Sequence, residues 1–367
     1  MSKIHFKKGR VVVGMSGGVD SSISAWCLKQ QGYEVVGLFM KNWQENLNTC
    51  STKDDLLDAI SVADFIGIEF ECVDFTSQYK DRVFKNFLSE YSIGRTPNPD
   101  VFCNSEIKFQ SFMEYAFTKL KADYIATGHY AQIQSEKSKR VKLLKAIDES
   151  KDQSYFLYRL NQSQLLHTIF PLGKILKNQV RKIAKEIGLH NAKKKDSTGI
   201  CFIGKRSFRE FLKNYIPLNP GPILNSNKKK IGNHEGLHFY TIGQRKGLGI
   251  GGIKEYQLEN NQHRAWYVAS KDFEKNILFI VQGQEHPWLF SRSLLASQIT
   301  WIKGTPPKDS EYKAKIRFRQ KDVDCFLKKI DNESFQLKFG EPQWAVTPGQ
   351  SVVIYNKSTC LGGGIIC

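Results

Sequence analysis

The stretch Gly14-Met15-Ser16-Gly17-Gly18-Val19-Asp20-Ser21-Ser22 is rich in glycine and serine. It follows the apolar run Val11-Val12-Val13 and precedes Ile23-Ser24-Ala25-Trp26-Cys27-Leu28, which reads as a helix. A strand therefore runs into a glycine-rich turn, and the turn opens a helix. Glycines let backbone N–H groups approach an anion closely, and a helix N-terminus adds positive partial charge. The hydroxyls of Ser16, Ser21 and Ser22 add donors. The pattern is a phosphate cradle without the lysine of the GxxxxGK[ST] loop, which serves the β- and γ-phosphates. A cradle of this kind suits pyrophosphate held as a leaving group. It implies attack at the α-phosphate of ATP and an adenylated substrate.

Two of the eight cysteines stand where sulfur chemistry is feasible. Asn98-Pro99-Asp100-Val101-Phe102-Cys103-Asn104 places Cys103 just before a predicted helix, whose N-terminus favours thiolate over thiol. Asp100, just upstream, is placed to move a proton or to orient a base or loop. Asp196-Ser197-Thr198-Gly199-Ile200-Cys201-Phe202-Ile203-Gly204 puts Cys201 in a glycine-flanked loop after Lys193-Lys194-Lys195. The lysines favour thiolate, and the glycines permit the movement a sulfur carrier needs. The remaining cysteines read as inert: Cys27 on a helix, Cys72 and Cys325 in strand-like runs, Cys50 in a polar stretch, Cys360 and Cys367 near the end. There is no CxxC, so spacing supports neither a zinc site nor an iron–sulfur cluster, and no metal ligand set is expected.

The elements that must position these groups alternate in the first part of the chain. Strands are predicted at Arg10–Gly14, Glu34–Met40, Ile68–Val73 and Ala122–Ala126. Helices are predicted at Ser22–Gln31, Asp54–Ile66, Thr76–Tyr91 and Asn104–Leu120; Leu57, Ile60 and Phe65 mark the apolar spacing of the second. This order implies a doubly wound α/β parallel sheet with a crevice at its switch point. Thr127-Gly128-His129-Tyr130 follows the fourth strand and flanks the crevice. Met40 ends the second strand, where it borders an adenine or packs in the core. Helical spacing returns at Gln153–Ile169 and Asn178–Ile187, and Ser207-x-x-Glu210 reads as a capping box. After Pro217-Leu218-Asn219-Pro220-Gly221-Pro222 short strands dominate: Ala265–Ser270, Ile277–Gln282, Tyr312–Arg319, Phe335–Phe339 and Ser351–Tyr355. That change predicts small β-barrels, with domains at 1–216, 217–286 and 287–367. Gly247-Leu248-Gly249-Ile250-Gly251-Gly252 satisfies GxGxxG but lacks a following helix, so a mobile glycine-rich loop is expected.

Composition narrows the partners. The 367-residue chain is 41% hydrophobic, and no apolar run approaches the ~18 residues of a membrane span. Scattered cysteines predict a reducing, cytoplasmic setting, and the N-terminus has no secretory pattern. The net charge of +18 predicts a polyanionic partner.

Ser16-Gly17-Gly18-Val19-Asp20-Ser21 resembles the PP-loop of the ATP pyrophosphatases, and the other motifs choose among their members. Gly14–Ser22, Phe39–Trp43, Thr96–Phe109, Thr127–Tyr130, Lys151–Tyr155, Asp196–Gly204, Tyr240–Gly252 and Val346–Gln350 together resemble the tRNA-specific 2-thiouridylase family over almost the whole chain. The resemblance implies a PP-loop domain of the adenine nucleotide alpha-hydrolase-like fold, a small central β-rich domain and a C-terminal β-barrel. It implies thiolation of C2 of the wobble uridine, position 34 in the anticodon of certain tRNAs. ATP and Mg²⁺ would be used, and a sulfur-relay protein would supply persulfide sulfur. Gly14, Met15, Ser16, Gly17, Gly18, Val19, Asp20, Ser21, Met40 and Gly128 would bind ATP. Asn98, Pro99 and Asp100 would contact the target base. Cys103 would be the nucleophilic partner and Cys201 the persulfide carrier, and the pair would end as a disulfide. His129, Lys151, Asp152, Gln153 and Gln350 would touch tRNA. At Arg317-Phe318 the family often has Arg-Tyr, so a tyrosine hydroxyl is absent while a ring face for stacking remains. His129 could instead order its loop, Asp152 could cap a helix, and Arg317 could be an ordinary strand residue. Rival readings are an amidotransferase-type PP-loop synthetase and a non-catalytic RNA-binding protein.

Overall fold

The computed structural model describes residues 8–43, 51–196, 200, 202–203, 207–250 and 264–367, without the side chains of residues 51 and 52. Cys50 and Cys201 lie outside the described residues, as do Ser197–Gly199 and Gly204.

Strands β1 (Arg10–Met15), β2 (Glu34–Lys41), β3 (Glu69–Asp74) and β4 (Tyr124–Thr127) all pair in parallel. An antiparallel hairpin follows, β5 (Ala131–Ser135) with β6 (Val141–Lys145). Then β7 (Thr168–Ile169) completes a sheet of order β3-β2-β1-β4-β7. Side chains alternate across a strand, so a strand covered on both faces is apolar throughout. Val12, Val36 and Ile125 pack on one face with Tyr79, Val83 and Phe87. Val11, Val13, Val35 and Ala126 pack on the other with Ile23, Leu28 and Val62. Double winding is thus written into alternate residues of the same strands. β1 has β2 on one side and β4 on the other, so the switch point lies beyond Met15 and Thr127.

Several expectations need correction. The Gln153–Ile169 span is not one helix but a 3-10 turn Ser154–Leu157, a helix Gln162–Leu166 and strand β7. The second helix, Ser51–Ile66, faces the sheet with Ala59, Val62, Ala63 and Ile66, while Leu57, Ile60 and Phe65 are exposed. The alanines allow close approach, so the large apolar residues lie outward. The helix expected from Asn104 begins at Pro99 and runs through a wide-turn segment, Cys103–Ser111, to Thr118. Cys103 therefore sits in the second turn, beyond the stretch where a helix terminus acts most strongly. Ser207 does open the helix Phe208–Lys213, but its side chain makes no capping hydrogen bond. Residues 247–250 are non-helical, and Gly251 and Gly252 are not described.

The next sheet joins β8 (Gly221–Asn225), β9 (Lys230–His234), β10 (Trp266–Asp272) and β11 (Ile277–Gln282). The last region holds β12 (Phe290–Trp301), β13 (Ser310–Lys315), β14 (Val323–Lys329), β15 (Phe335–Trp344), β16 (Ser351–Asn356) and β17 (Thr359–Ile366). Pairing of β12 with both β15 and β17 closes these strands into a barrel. The hairpin β5–β6 also joins it, through Leu143–Cys360 and Leu144–Thr359. A segment between two strands of the parallel sheet thereby extends the barrel. Among the described residues no helix is long and apolar enough to cross a membrane.

Candidate functional site

The glycine-rich loop lies at the switch point and is held by its own side chains. The Ser21 hydroxyl donates to Gly18 O (3.0 Å) and accepts from Ser16 N (3.2 Å). Asn191 Nδ2 donates to Gly17 O (3.1 Å) and to Ser22 Oγ (3.0 Å). Gly17 has φ 70°, and a Cβ there would lie 2.3 Å from the carbonyl oxygen of Asp55. A Cβ on Gly128 would lie 2.8 Å from Ser21 N, so the end of β4 abuts the first helix (Val19–Gln30). Met15 and Val19 are buried, whereas Ser16 is exposed at the crest. Met40 is partly buried, and its Cε would be 3.2 Å from a Cβ on Gly14, so it both packs and borders the loop. Phe112, on the helix that carries Cys103, closes over the same glycine.

A cation is supplied from elsewhere. Lys177 opens the helix Lys177–Glu186 and is 8% exposed. Its Nζ donates to both carboxylate oxygens of Asp20 (2.7 Å each) and pairs with Asp196 (2.8 Å). Tyr130 OH also donates to Asp20 (2.9 Å). Asp196 receives Lys151 (2.9 Å) and Arg181 (2.8 Å) as well. Burial would raise the Asp196 pKa, but hydrogen bonds from Lys177 and Lys151 outweigh it and hold the carboxyl at about 2. Sequence reading missed Lys177. The available signal was a lysine at a helix start, where the helix dipole disfavours a cation unless it has partners.

The second group surrounds the cysteine helix. Asn98 is its N-terminal flanking residue, buried Pro99 its first, and Asp100 lies in its first turn. Burial raises the Asp100 pKa, and the charge of Lys108 offsets part of the shift. Cys103 is 5% exposed and belongs to the large hydrophobic core that also holds Tyr79, Phe87 and Phe202. Phe202 adjoins Cys201, whose own position is not described. Gln350 reaches this group from the barrel, donating to Thr96 O (2.6 Å).

Several residues expected at a tRNA surface have internal partners. His129 is 8% exposed, with Nδ1 2.7 Å from Thr127 Oγ1; burial, then the Lys108 charge, keeps its ring neutral. Gln153 and Tyr130 exchange two hydrogen bonds, Gln153 N to Tyr130 O (2.8 Å) and Tyr130 N to Gln153 Oε1 (2.9 Å). The guanidinium of Arg317 lies over Trp344 (5.0 Å) and donates to Ala345 O (2.8 Å). Phe318 packs on Phe156, with ring centroids 4.3 Å apart. Asp152 is 3% exposed and accepts from the amides of Ala146 (3.1 Å) and Ser154 (3.2 Å) and from Ser154 Oγ (3.0 Å). Buried Lys315 of β13 pairs with it at 3.4 Å, tying the barrel to the loop before Ser154. Asp152→Ala strands the two amides and leaves the buried ammonium only its longer pair with Asp322 (3.8 Å). It is expected to lower unfolding stability by ~3–5 kcal/mol in urea titrations.

Three family profiles match in order: a tRNA methyl transferase HUP domain over residues 9–205, a tRNA methyl transferase PRC-barrel domain over 209–282, and an aminomethyltransferase β-barrel domain over 291–366. The tRNA-specific 2-thiouridylase MnmA of Bordetella avium is 61% identical over 365 residues, covering 98% of each chain. That of Cupriavidus necator is 58% identical over 360 residues, covering 97% of this chain and 98% of its own. Among solved structures, the U34-tRNA thiolase NcsA of Methanococcus maripaludis gives a TM-score of 0.35 at 20% identity, covering 59% of this chain and 70% of that one. This structural likeness is too distant to bear on function. The profile descriptions speak of methyl transfer, but the relatives that match over nearly their full length are thiouridylases. The chain belongs to the tRNA-specific 2-thiouridylase family.

Proposed function

We propose that the chain performs its family's reaction, 2-thiolation of a tRNA uridine, by adenylation followed by persulfide transfer. The observation that carries the first stage is the glycine-rich cradle at the switch point, with Lys177 facing it through Asp20. ATP is read as lying with its phosphates on Gly14–Ser21 and its adenine near Met40 and Gly128. Lys177 would move from Asp20 toward the phosphates and neutralise the leaving pyrophosphate. Among the described residues no cluster of three His, Cys, Asp or Glu side chains forms a metal cage. Mg²⁺ characteristically binds through substrate phosphates and one or two carboxylates, and Asp20 is the carboxylate that fits. Bound there, Mg²⁺ would offset phosphate charge.

In this reading the uracil O2 attacks the α-phosphorus, the bond to pyrophosphate breaks, and the base carries AMP on O2. Asn98–Asp100 hold the base, and burial, which raises the Asp100 pKa, favours its taking part in proton transfer. The terminal sulfur of a Cys201 persulfide, loaded by a sulfur-relay protein, bonds to C2. AMP leaves with the C2–O electron pair. The Cys103 thiolate then attacks Cys201 Sγ, the persulfide S–S bond breaks toward the transferred sulfur, and C2=S remains beside a Cys103–Cys201 disulfide. An external thiol reduces that disulfide. The positive net charge and the barrel supply the wider tRNA surface, with His129, Lys151 and Gln153 stiffening the floor through the contacts above.

Incubation with unmodified tRNA, labelled ATP and a persulfide donor is expected to give AMP, pyrophosphate and 2-thiouridine by nucleoside mass spectrometry. ADP and phosphate as main products, or turnover indifferent to tRNA, would overturn the scheme. Ammonia-dependent product would favour the synthetase reading instead.

A further inference from the structure

A second concave site lies away from the glycine-rich loop, where the three regions of the chain meet. It is a cavity of about 450 Å³, within the range of ligand-binding pockets. Its walls include Ile93 and Thr96 before the cysteine helix, Lys271 of β10 with nearby Phe273, and Trp288 and Phe290 at the start of the barrel. Ile93, Phe273, Trp288 and Phe290 are all exposed, at 54%, 48%, 49% and 39%. Large exposed apolar side chains gathered in one hollow mark a binding surface.

The cavity also holds a cation that lacks a counter-charge. Lys271 Nζ donates to Gly94 O (2.9 Å), leaving further N–H bonds, and no carboxylate of the described residues pairs with it. Burial pulls its ammonium down to about 8, so it is charged below that pH at the cost of desolvation. An incoming anion would relieve that cost. Flat aromatic faces beside an unpaired ammonium match a nucleobase and its phosphate. The position matches too. Thr96 lines the cavity and accepts from Gln350, while Asn98, two residues on, opens the segment read as holding the target base. Two residues span at most ~7 Å, about the reach to an adjacent nucleotide.

The geometry points to this cavity as the seat of an unstacked nucleotide of the substrate tRNA next to the target uridine, its base on Trp288 and Phe290 and its phosphate on Lys271. The inference rests on reading Asn98–Asp100 as the target-base segment. It adds a reason for the order of events: a neighbour seated here holds the Thr96–Asn98 segment while the uridine enters.

The test uses the full chain and unmodified tRNA, with wild-type thiolation as the control for the proposed function itself. Trp288→Ala, at an exposed position, is expected to weaken tRNA binding about tenfold, with Trp288→Phe restoring most of it. Lys271→Met is expected to reduce the slope of log K against log[salt] by about 0.7, the loss of one single-strand phosphate contact. ATP affinity measured without tRNA stays at the wild-type value in all three. An anticodon stem–loop carrying 5-iodouridine beside position 34 is expected to photocrosslink to the Trp288 peptide. Wild-type affinity and salt slope in Trp288→Ala and Lys271→Met, with no crosslink, overturn the assignment while the thiolation reading stands. Unchanged tRNA affinity with impaired loading from the sulfur-donor protein also overturns it, giving the cavity to a protein partner. Wild-type protein that binds tRNA without thiolating it rejects the proposed function separately.

Discussion

Replacing Lys177 by Met is expected to lower tRNA-dependent AMP formation by ~10²–10³-fold while leaving tRNA affinity near its wild-type value. The magnitude is that of removing one preorganised electrostatic group from a water-poor site. Lys177 is nearly buried, and its ammonium is fixed between Asp20 and Asp196 before any nucleotide arrives. Released from Asp20 as the nucleotide binds, it meets the charge developing on pyrophosphate from a buried position. The glycine-rich loop itself contains no lysine, so the variant leaves no substitute on that segment. Stability should fall less than activity. Asp20 keeps Tyr130, and Asp196 keeps Lys151 and Arg181, so neither carboxylate is stranded. Rapid-quench assays with labelled ATP, alongside thermal melts, separate the two effects. A folded Lys177→Met variant that forms AMP at the wild-type rate would show that the lysine only braces the loop.

The parallel sheet and its loop were legible because their signals are local. Val11-Val12-Val13 must be covered on both faces, and the glycines and serines that follow fit a turn against a helix start. What escaped notice depends on residues distant in sequence. The hairpin β5–β6 carries a mixed polar pattern, and its place beside the barrel comes from the pairing of β6 with β17. The outward Leu57, Ile60 and Phe65 misled because periodicity finds a stripe without saying which stripe a neighbour covers. Here the small residues Ala59 and Ala63 decided the matter. Lys177 and Asp196 were hidden for the same reason, since Lys177 meets Asp20 and Asp196 meets Lys177 only in the folded chain. The target-base segment was visible as Asn98-Pro99-Asp100, yet its tie to the barrel through Gln350 and Thr96 exists only in the folded chain.

Cys103→Ser is expected to abolish 2-thiouridine formation yet keep tRNA-dependent pyrophosphate release within a few-fold of wild type. Adenylation requires the cradle and the base, and neither step draws on a thiol. Resolution of the persulfide does, because a serine hydroxyl is neither ionised near neutrality nor suited to attack sulfur. The other described cysteines with shifted pKa values cannot replace it. Burial raises those of Cys27, Cys72, Cys325 and Cys360, with Cys325 pushed up to about 12, so all four remain thiols. Cys201→Ser is expected to lose both product formation and sulfur loading, whereas Cys103→Ser still accepts sulfur on Cys201. Serine in place of buried Cys103 adds a hydroxyl to an apolar cluster, at ~1–3 kcal/mol if it finds no partner, so each assay is paired with a melt. Single-turnover reactions without reductant, followed by non-reducing peptide mapping, are expected to yield a Cys103–Cys201 crosslink in the wild type and none in either variant. Full thiolation by folded Cys103→Ser would remove the resolving thiol from the mechanism and leave sulfur release to an external reductant.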